Sequence, residues 1–244
     1  MTNILNEELL IATIANMLYG CKHVAVGTSS PIPGGACLLA KQISNDEMKV
    51  SILGSRKNTF WSDGSKELFD CAAQGRIDAF FLSGAQIDGE ANVNLVGTGP
   101  YQKPKNRFPG SFGSPYLYFL VPQIILFRAD HDPRVLVQKV DFVSAPGFTP
   151  PNAHRIGGPK ALVTSKAVFR FHPKKIRFSL MSTHPGVSVE EVIKSTGFVF
   201  DLDENLKQTP LPNAKTIETI RGPIARDLME IYPQFVQNLW HLSN

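Results

Sequence analysis

Cysteine is scarce in this chain of 244 residues: Cys21, Cys37 and Cys71 are an odd number without metal-ligand spacing. A disulfide framework and a structural zinc site are therefore not expected, and the default fate of these thiols is burial as small hydrophobes. No GxGxxG and no GxxxxGK[ST] occurs, so the backbone fingerprints of dinucleotide and nucleoside-triphosphate binding are missing. The six histidines form no HExxH or HxH pattern, which removes the usual sequence support for a hydrolytic metal. Charge is not concentrated either. The 25 basic and 21 acidic residues are scattered except for KPKNR (103–107) and HPKK (172–175), too little for the basic face of a nucleic-acid binder. The longest apolar runs, AFFLSGA and YLYFLVPQIILF, are interrupted or short of the roughly 20 residues that span a bilayer, the second by Pro122. The polar, acidic start lacks the order of a secretory signal, so a cytoplasmic protein is expected.

What is present is an ordinary globular composition, 43% hydrophobic and 19% charged, in a chain long enough for one sizeable core. No internal repeat or low-complexity linker breaks it, and a single domain over 1–244 is the expected organisation. A helical stripe covers Glu7 to Tyr19. VAVGTSSPIPGGACLLAKQI then supplies a strand, a glycine-proline loop and an apolar-faced helix, the order of an α/β unit. MKVSILG and IDAFFLSG read as strands, the continuous apolar character of the second marking a parallel sheet covered on both faces, with a helix over ELFDCAAQG between them. QIILFR and KVDFVSAPG read as further strands around an ambiguous PRVLVQKV. The segment GPKALVTSKAVFRFHPKKIRFSLMSTHPG reads as three antiparallel strands. VSVEEVIKSTG is a short helix with Ser188 as its cap and Glu191 three residues on, and the chain closes in a helix-like segment from Gly222. The expected class is α/β: a mostly parallel sheet flanked by helices, with antiparallel strands in the second half.

Three loops carry candidate binding residues. GTSSPIPGG (27–35) offers Gly27, Thr28, Ser29 and Ser30 between a strand and a helix terminus, an arrangement able to receive an anion. SGAQIDGEANVN (83–94) crowds Gln86, Asp88, Glu90, Asn92 and Asn94 at the end of a hydrophobic strand; an Asx-type turn is the competing reading. RFPGSFGSP (107–115) holds Gly110, Ser111 and Gly113, small residues that allow close approach, with Arg107 as a fork for phosphate or carboxylate. His184 in THPG is exposed by its turn in one reading and structural in the other.

These loops, in their order and spacing, resemble the B (beta) subunit of the coenzyme A transferase family that includes glutaconate CoA-transferase. The resemblance runs from VGTSSPIPGGACLLAKQ through SGAQIDGEANVN, RFPGSFGSP, KVDFVSAPGF and GPKALVTSKAVFRF to HPGVSVEEVIKSTGF. It implies a CoA-transferase-like α/β fold, a homologous A (alpha) subunit as partner, an acyl-CoA thioester as substrate, no metal and no permanently bound cofactor, coenzyme A entering as part of the substrate. Family transferases use a glutamate at the end of an early strand, in a pattern like valine-glutamate-serine-glycine. The matching stretch here, Val50 to Ser55, places Ser51 or Ile52 in its position, so no catalytic residue is assigned in this chain; Asp63 and Glu67 lie downstream. A subgroup that looks closer is the B subunit of the ring-cleaving hydrolase of steroid (cholesterol) catabolism, in which the catalytic glutamate comes from the A subunit. The resemblance thus implies carbon–carbon cleavage in a ring-ketone CoA thioester, with CoA transfer between small carboxylic acids as the alternative and a non-catalytic scaffold as a third reading. The loops at 27–31 and 110–114 and the side chain of Gln86 are the expected donors to developing oxyanion charge.

Overall fold

The computed structural model describes residues 3–242. The chain forms two compact units, one running up to Phe81 and resuming at Pro210, the other Leu82–Thr209.

The first unit opens with α1 (Asn6–Met17), β1 (His23–Val26), α2 (Pro31–Ile43), β2 (Lys49–Ile52), α3 (Ser65–Ala73) and β3 (Ala79–Leu82). All of its pairings are parallel and β1 lies between β3 and β2, as the apolar runs require: Val24, Ala25 and Val26 are wholly buried. α2 packs closely on its neighbours because Gly34 and Gly35 lack side chains. A Cβ at Gly35 would sit 3.1 Å from Ile11 and 3.2 Å from Leu228, and one at Gly34 would sit 3.2 Å from the Tyr232 ring. Half of the GTSSPIPGG signal is therefore a packing device.

In the second unit, short hairpins come first: β4 (Gln86–Ile87) with β5 (Val93–Asn94), and β6 (Gly97–Thr98) with β7 (Asn106–Arg107). α4 (Ser114–Leu120), β8 (Gln123–Arg128), β9 (Pro159–Thr164), β10 (Ala167–His172), β11 (Arg177–Thr183), α5 (Val189–Ser195) and β12 (Asp201–Gln208) follow. The strand order is β12-β11-β10-β9-β8. The β9–β10–β11 meander is antiparallel and its outer pairings, β8–β9 and β11–β12, are parallel. Ser188 caps α5 by accepting from the Glu191 N–H. Phe169, Phe171, Phe178 and Phe198 are buried against one another, with ring centroids 5.2–6.2 Å apart in mostly edge-to-face pairs. Much of the chain's phenylalanine is core.

One expectation is corrected here. KVDFVSAPG and PRVLVQKV form no regular element; only the isolated bridges Ile87↔Leu136 and Val93↔Ala145 mark them. Backbone donors of this stretch go to the β4–β5 hairpin, Val137 N–H to the Ile87 carbonyl, Ser144 N–H to the Val93 carbonyl, Val140 N–H to Asp88 and Asp141 N–H to Gln86. DLDENLKQ, in turn, is a strand that its polarity conceals: β12 is an edge strand, where charge is tolerated and discourages further pairing.

Returning to the first unit, the chain forms α6 (Ala214–Thr219), a π-helical turn (Ile220–Ile224), α7 (Ala225–Met229) and α8 (Pro233–Trp240). The expected single helical segment passes Pro223, which lacks an N–H, as a π-helical turn and is broken at 230–232, ahead of Pro233. Arg221 and Trp240 reach back to the fully buried carboxylate of Glu8, at 2.6 and 2.9 Å, which supplies the pairing a buried charge requires.

Candidate active site

Open parallel sheets bind ligands at the carboxyl ends of their strands, so the ends of β1 and β2 come first. Beyond Val26 the chain enters Gly27–Ser30. Thr28 and Ser29 are exposed and Ser29 has φ +55°. Ser30 turns inward, its Oγ donating to the Thr28 carbonyl at 3.1 Å. Pro31 and Pro33 remove two of the donors at the start of α2, and the Gly34 N–H is taken by the Ser30 carbonyl. The helix end is thus a poorer anion receptor than its glycines imply, and the hydroxyls of Thr28 and Ser29 are what the loop presents.

Ser51 and Ile52 are fully buried within β2. The Ser51 hydroxyl lies 2.9 Å from His23 Nε2, while His23 Nδ1 faces the Arg76 carbonyl at 3.1 Å. The carbonyl only accepts, so Nδ1 carries the proton and Ser51 donates to Nε2. Burial holds this imidazole below its ordinary pKa. His23 opens β1, so Ser51 points away from the ligand-binding edge, towards its opposite end. The strand end itself presents Leu53 and Gly54, then a turn through Asn58, and the Leu53 N–H donates to the Val26 carbonyl at 3.0 Å. No carboxylate stands in β2 or at its end. Asp63 pairs with Lys66 and Glu67 accepts the Asp63 N–H; both serve the first turn of α3.

A carboxylate does reach the turn, from a part of the chain that no motif marks. Glu230 accepts the Ser55 hydroxyl at 2.9 Å and the Arg56 N–H at 2.8 Å. Nothing in the sequence signals a pairing over such a distance.

In the second unit, the SGAQIDGEANVN loop is a closed network. Gln86 accepts from Asn94 Nδ2 at 2.7 Å and from the Asp141 N–H at 2.9 Å, and donates its amide to the Asp141 carboxylate at 3.3 Å. Asp88 accepts from the N–H groups of Glu90, Asn92 and Val140 and from the Asn92 amide. Burial pushes the Asp88 carboxyl above its usual range despite these donors. Asn92 also accepts the Gly147 N–H. The amide of Gln86, the expected oxyanion donor, is committed to Asp141, and the Asx-turn reading describes Asp88. Arg107 lies over the Tyr101 ring at 5.6 Å, and Tyr101 stacks on Phe142. Gly110, with φ +106°, and Phe112, with φ +45°, shape a loop in which Phe112 is 83% exposed. Ser111 accepts the Ser114 N–H through its carbonyl, and Gly113 leads into α4. Gln86, Asp88 and Asn92 are therefore brought together, Arg107 and residues 110–113 form a neighbouring loop tied by the Gly110 N–H to the Leu95 carbonyl, and Gly27–Ser30 belong to the first unit.

His184 is buried, bonded to Thr209 and to the Thr164 carbonyl, and Cys71 is buried in α3. Among the described residues no group of three or more His, Cys, Asp or Glu is arranged to hold a metal, and no helix is long and apolar enough to cross a membrane.

A sequence profile described as Coenzyme A transferase matches residues 4–195. The chain belongs to the coenzyme A transferase family. Within that family it is 31% identical over 223 residues to the B subunit of 3-oxoadipate CoA-transferase from Pseudomonas knackmussii, covering 88% of this chain and 82% of the relative. It is 27% identical to the B subunit of glutaconate CoA-transferase from Acidaminococcus fermentans, covering 91% of this chain and 93% of the relative. The crystal structure of the latter enzyme superposes with a TM-score of 0.81, at 25% identity, over 99% of both chains. The cholesterol ring-cleaving hydrolase IpdB subunit of Rhodococcus jostii is 32% identical over 137 residues, 54% of this chain and 53% of the relative. A variant of the decarboxylase AibA/AibB gives a TM-score of 0.76 at 26% identity, over 90% of this chain and 95% of that one. The α/β CoA-transferase-like fold and the B-type resemblance are thereby established, and the family spans transfer, decarboxylation and ring cleavage.

Proposed function

We propose that this chain is the B-type subunit of a heteromeric enzyme that acts on an acyl-CoA thioester together with a homologous A-type subunit, and that its reaction is CoA transfer between carboxylic acids. The observation that carries this reading is the extent of the likeness: both named transferase relatives match about nine-tenths of the chain, whereas the ring-cleaving hydrolase relative matches 54%. Coenzyme A enters with the substrate. In transfer, a carboxylate attacks the thioester carbonyl and expels the CoA thiolate, leaving an acyl anhydride. The thiolate then attacks the enzyme's own acyl carbon, releasing the first acid and leaving an enzyme thioester. β2 offers no such carboxylate, so the acid belongs to the A-type subunit, while the exposed hydroxyls of Thr28 and Ser29 and the loop at 110–113 serve binding.

One observation favours a second reading. A strand end without an acid suits a hydrolase that adds water to a ring ketone and leaves the thioester intact, with its acid/base glutamate in the partner. Incubating the assembled complex with acyl-CoA thioesters of mono- and dicarboxylic acids separates the two. Transfer leaves a borohydride- and hydroxylamine-sensitive glutamyl-CoA thioester on the A-type subunit, located by peptide mass spectrometry. Carbon–carbon cleavage of a fused-ring diketone thioester, with no adduct on either subunit, would replace the transferase reading with the hydrolase one.

A further inference from the structure

The turn after β2 is cross-linked more heavily than a connection of its length needs. The Ile52 N–H donates to the Asn58 carbonyl at 2.7 Å and the Ser55 N–H to the Ile52 carbonyl at 3.1 Å. Ser55 Oγ accepts the Asn58 N–H at 2.9 Å and donates to Glu230 Oε2 at 2.9 Å. Glu230 Oε1 accepts the Arg56 N–H at 2.8 Å, across 174 positions of sequence. Gly54, at φ +94°, makes a bend that other residues resist. Burial works against ionisation of Glu230, but the N–H groups of Arg56 and Lys57 and the Ser55 hydroxyl outweigh it and hold the carboxyl below its usual range. The clamp is therefore anionic at neutral pH.

The clamp fixes the backbone from which the Arg56 side chain leaves. Arg56 is exposed and, among the described residues, forms no ion pair. It follows the carboxyl end of β2, beside the end of β1 through the Leu53 to Val26 hydrogen bond. A guanidinium at the ligand-binding edge of a parallel sheet, without an ion-pair partner among those residues, is suited to bidentate recognition of phosphate or carboxylate.

We propose that Glu230 is a positioning residue that presents Arg56 to an anionic group of the acyl-CoA substrate, a phosphate of the CoA moiety or a carboxylate on the acyl group. This rests on the acyl-CoA reading above. The test is calorimetric titration of the assembled complex with acetyl-CoA, its 3′-dephospho form and glutaryl-CoA. Arg56→Gln is expected to raise Kd about tenfold, Glu230→Ala to raise it by a similar factor, and Glu230→Asp to recover part of the loss. In the Arg56→Gln background Glu230→Ala should add less than about twofold, because both act through one contact. A penalty absent with the dephospho probe identifies the 3′-phosphate; one seen only with glutaryl-CoA identifies the acyl carboxylate. Arg56→Gln within about twofold of the parent for all three probes overturns the proposal, as does a Glu230→Ala penalty undiminished in the Arg56→Gln background. Because Arg56 is exposed, its variant reports even where Glu230→Ala disturbs folding. If the unmodified complex binds none of the probes, the acyl-CoA reading itself falls and takes this role with it; binding by the parent with indifferent variants sinks only this role.

Discussion

The loops at 27–30 and 83–94 both follow an apolar strand of a parallel arrangement, and both are dense in groups able to bind a ligand. They differ in where those groups go. In 83–94, Gln86, Asp88 and Asn94 are buried: Gln86 is bonded to Asn94 and Asp141, and Asp88 to Asn92 and nearby backbone. In 27–30, Thr28 and Ser29 stand exposed. The lesson is that polarity at a strand end marks two opposite designs, a pinned scaffold and a presented surface, and only the location of the partners tells them apart. Buried polar groups need partners and are costly to strand, whereas exposed hydroxyls cost the fold almost nothing.

The comparison breaks most visibly at Asp88. Asp88→Ala strands four donors and is expected to destabilise the protein by about 3 kcal/mol, with Asp88→Asn costing roughly half as much because one oxygen remains to accept. Urea unfolding followed by fluorescence and circular dichroism measures both. A loss below about 1 kcal/mol for the alanine variant would mean that the loop is not pinned and that its polar groups are free for ligand.

A second pinned network predicts the pH response of the second unit. Ser182, Thr209, His184, Thr164, His131 and Thr196 form a buried relay. His184 Nε2 donates to the Thr164 carbonyl, leaving its Nδ1 to accept from Thr209. His131 Nε2 lies 2.9 Å from the Thr196 hydroxyl, which donates to the Val192 carbonyl, and His131 Nδ1 lies 2.7 Å from the Thr164 hydroxyl, which donates to the Ala167 carbonyl. Burial favours the neutral form of both rings. Burial, then the charge of Lys166 and the neighbouring His184, push the His131 pKa down to about 4, against opposing effects of Asp132 and Glu191; burial lowers that of His184 as well. An unfolded chain takes up these protons near pH 6.5, whereas the fold refuses that of His131 until about pH 4 and takes up that of His184 less readily than the unfolded chain does. The stability contributed by neutral histidine is therefore full above pH 6.5 and declines as pH falls towards 4, by about 2 to 3 kcal/mol. Unfolding midpoints taken from pH 7.5 to 4.5 should show this slope, and His131→Gln should flatten it.

Much of the fold is legible in the sequence because its signals are local. The strand–loop–helix order around Gly27, the apolar run before Leu82, the three-strand meander from Pro159 and the Ser188 cap all depend on residues near one another in the chain. What escapes depends on distant partners. β12 escapes because its residues are mostly charged or polar and none is buried, as suits an edge strand. The stretch from Pro133 to Gly147 reads as strand or helix because its donors find Gln86 and Asp88, roughly fifty positions earlier. The same limit governs the site. Gln86 looks free until Asn94 and Asp141 are placed around it, Ser51 looks like a strand end until His23 takes its hydroxyl, and Glu230 carries no signal at all until the turn at Ser55 closes on it.

The smallest effect on stability is expected at the presented loop, and it is the sharpest test of the contrast. Thr28→Ala and Ser29→Ala remove exposed hydroxyls, so each should change stability by less than about 0.5 kcal/mol; Ser29→Gly should be neutral or slightly stabilising, since its φ of +55° suits glycine. Their effect belongs in binding. In the assembled complex the double alanine variant should raise KM for an acyl-CoA several-fold, about 1 kcal/mol for hydroxyls that bond substrate, while the unfolding midpoint stays put. Asp88→Ala should do the reverse on a per-folded-molecule basis, lowering the midpoint while the remaining folded enzyme keeps its KM. If the double variant loses stability rather than affinity, the 27–30 loop is a second scaffold, and the surface that meets substrate lies elsewhere in the chain.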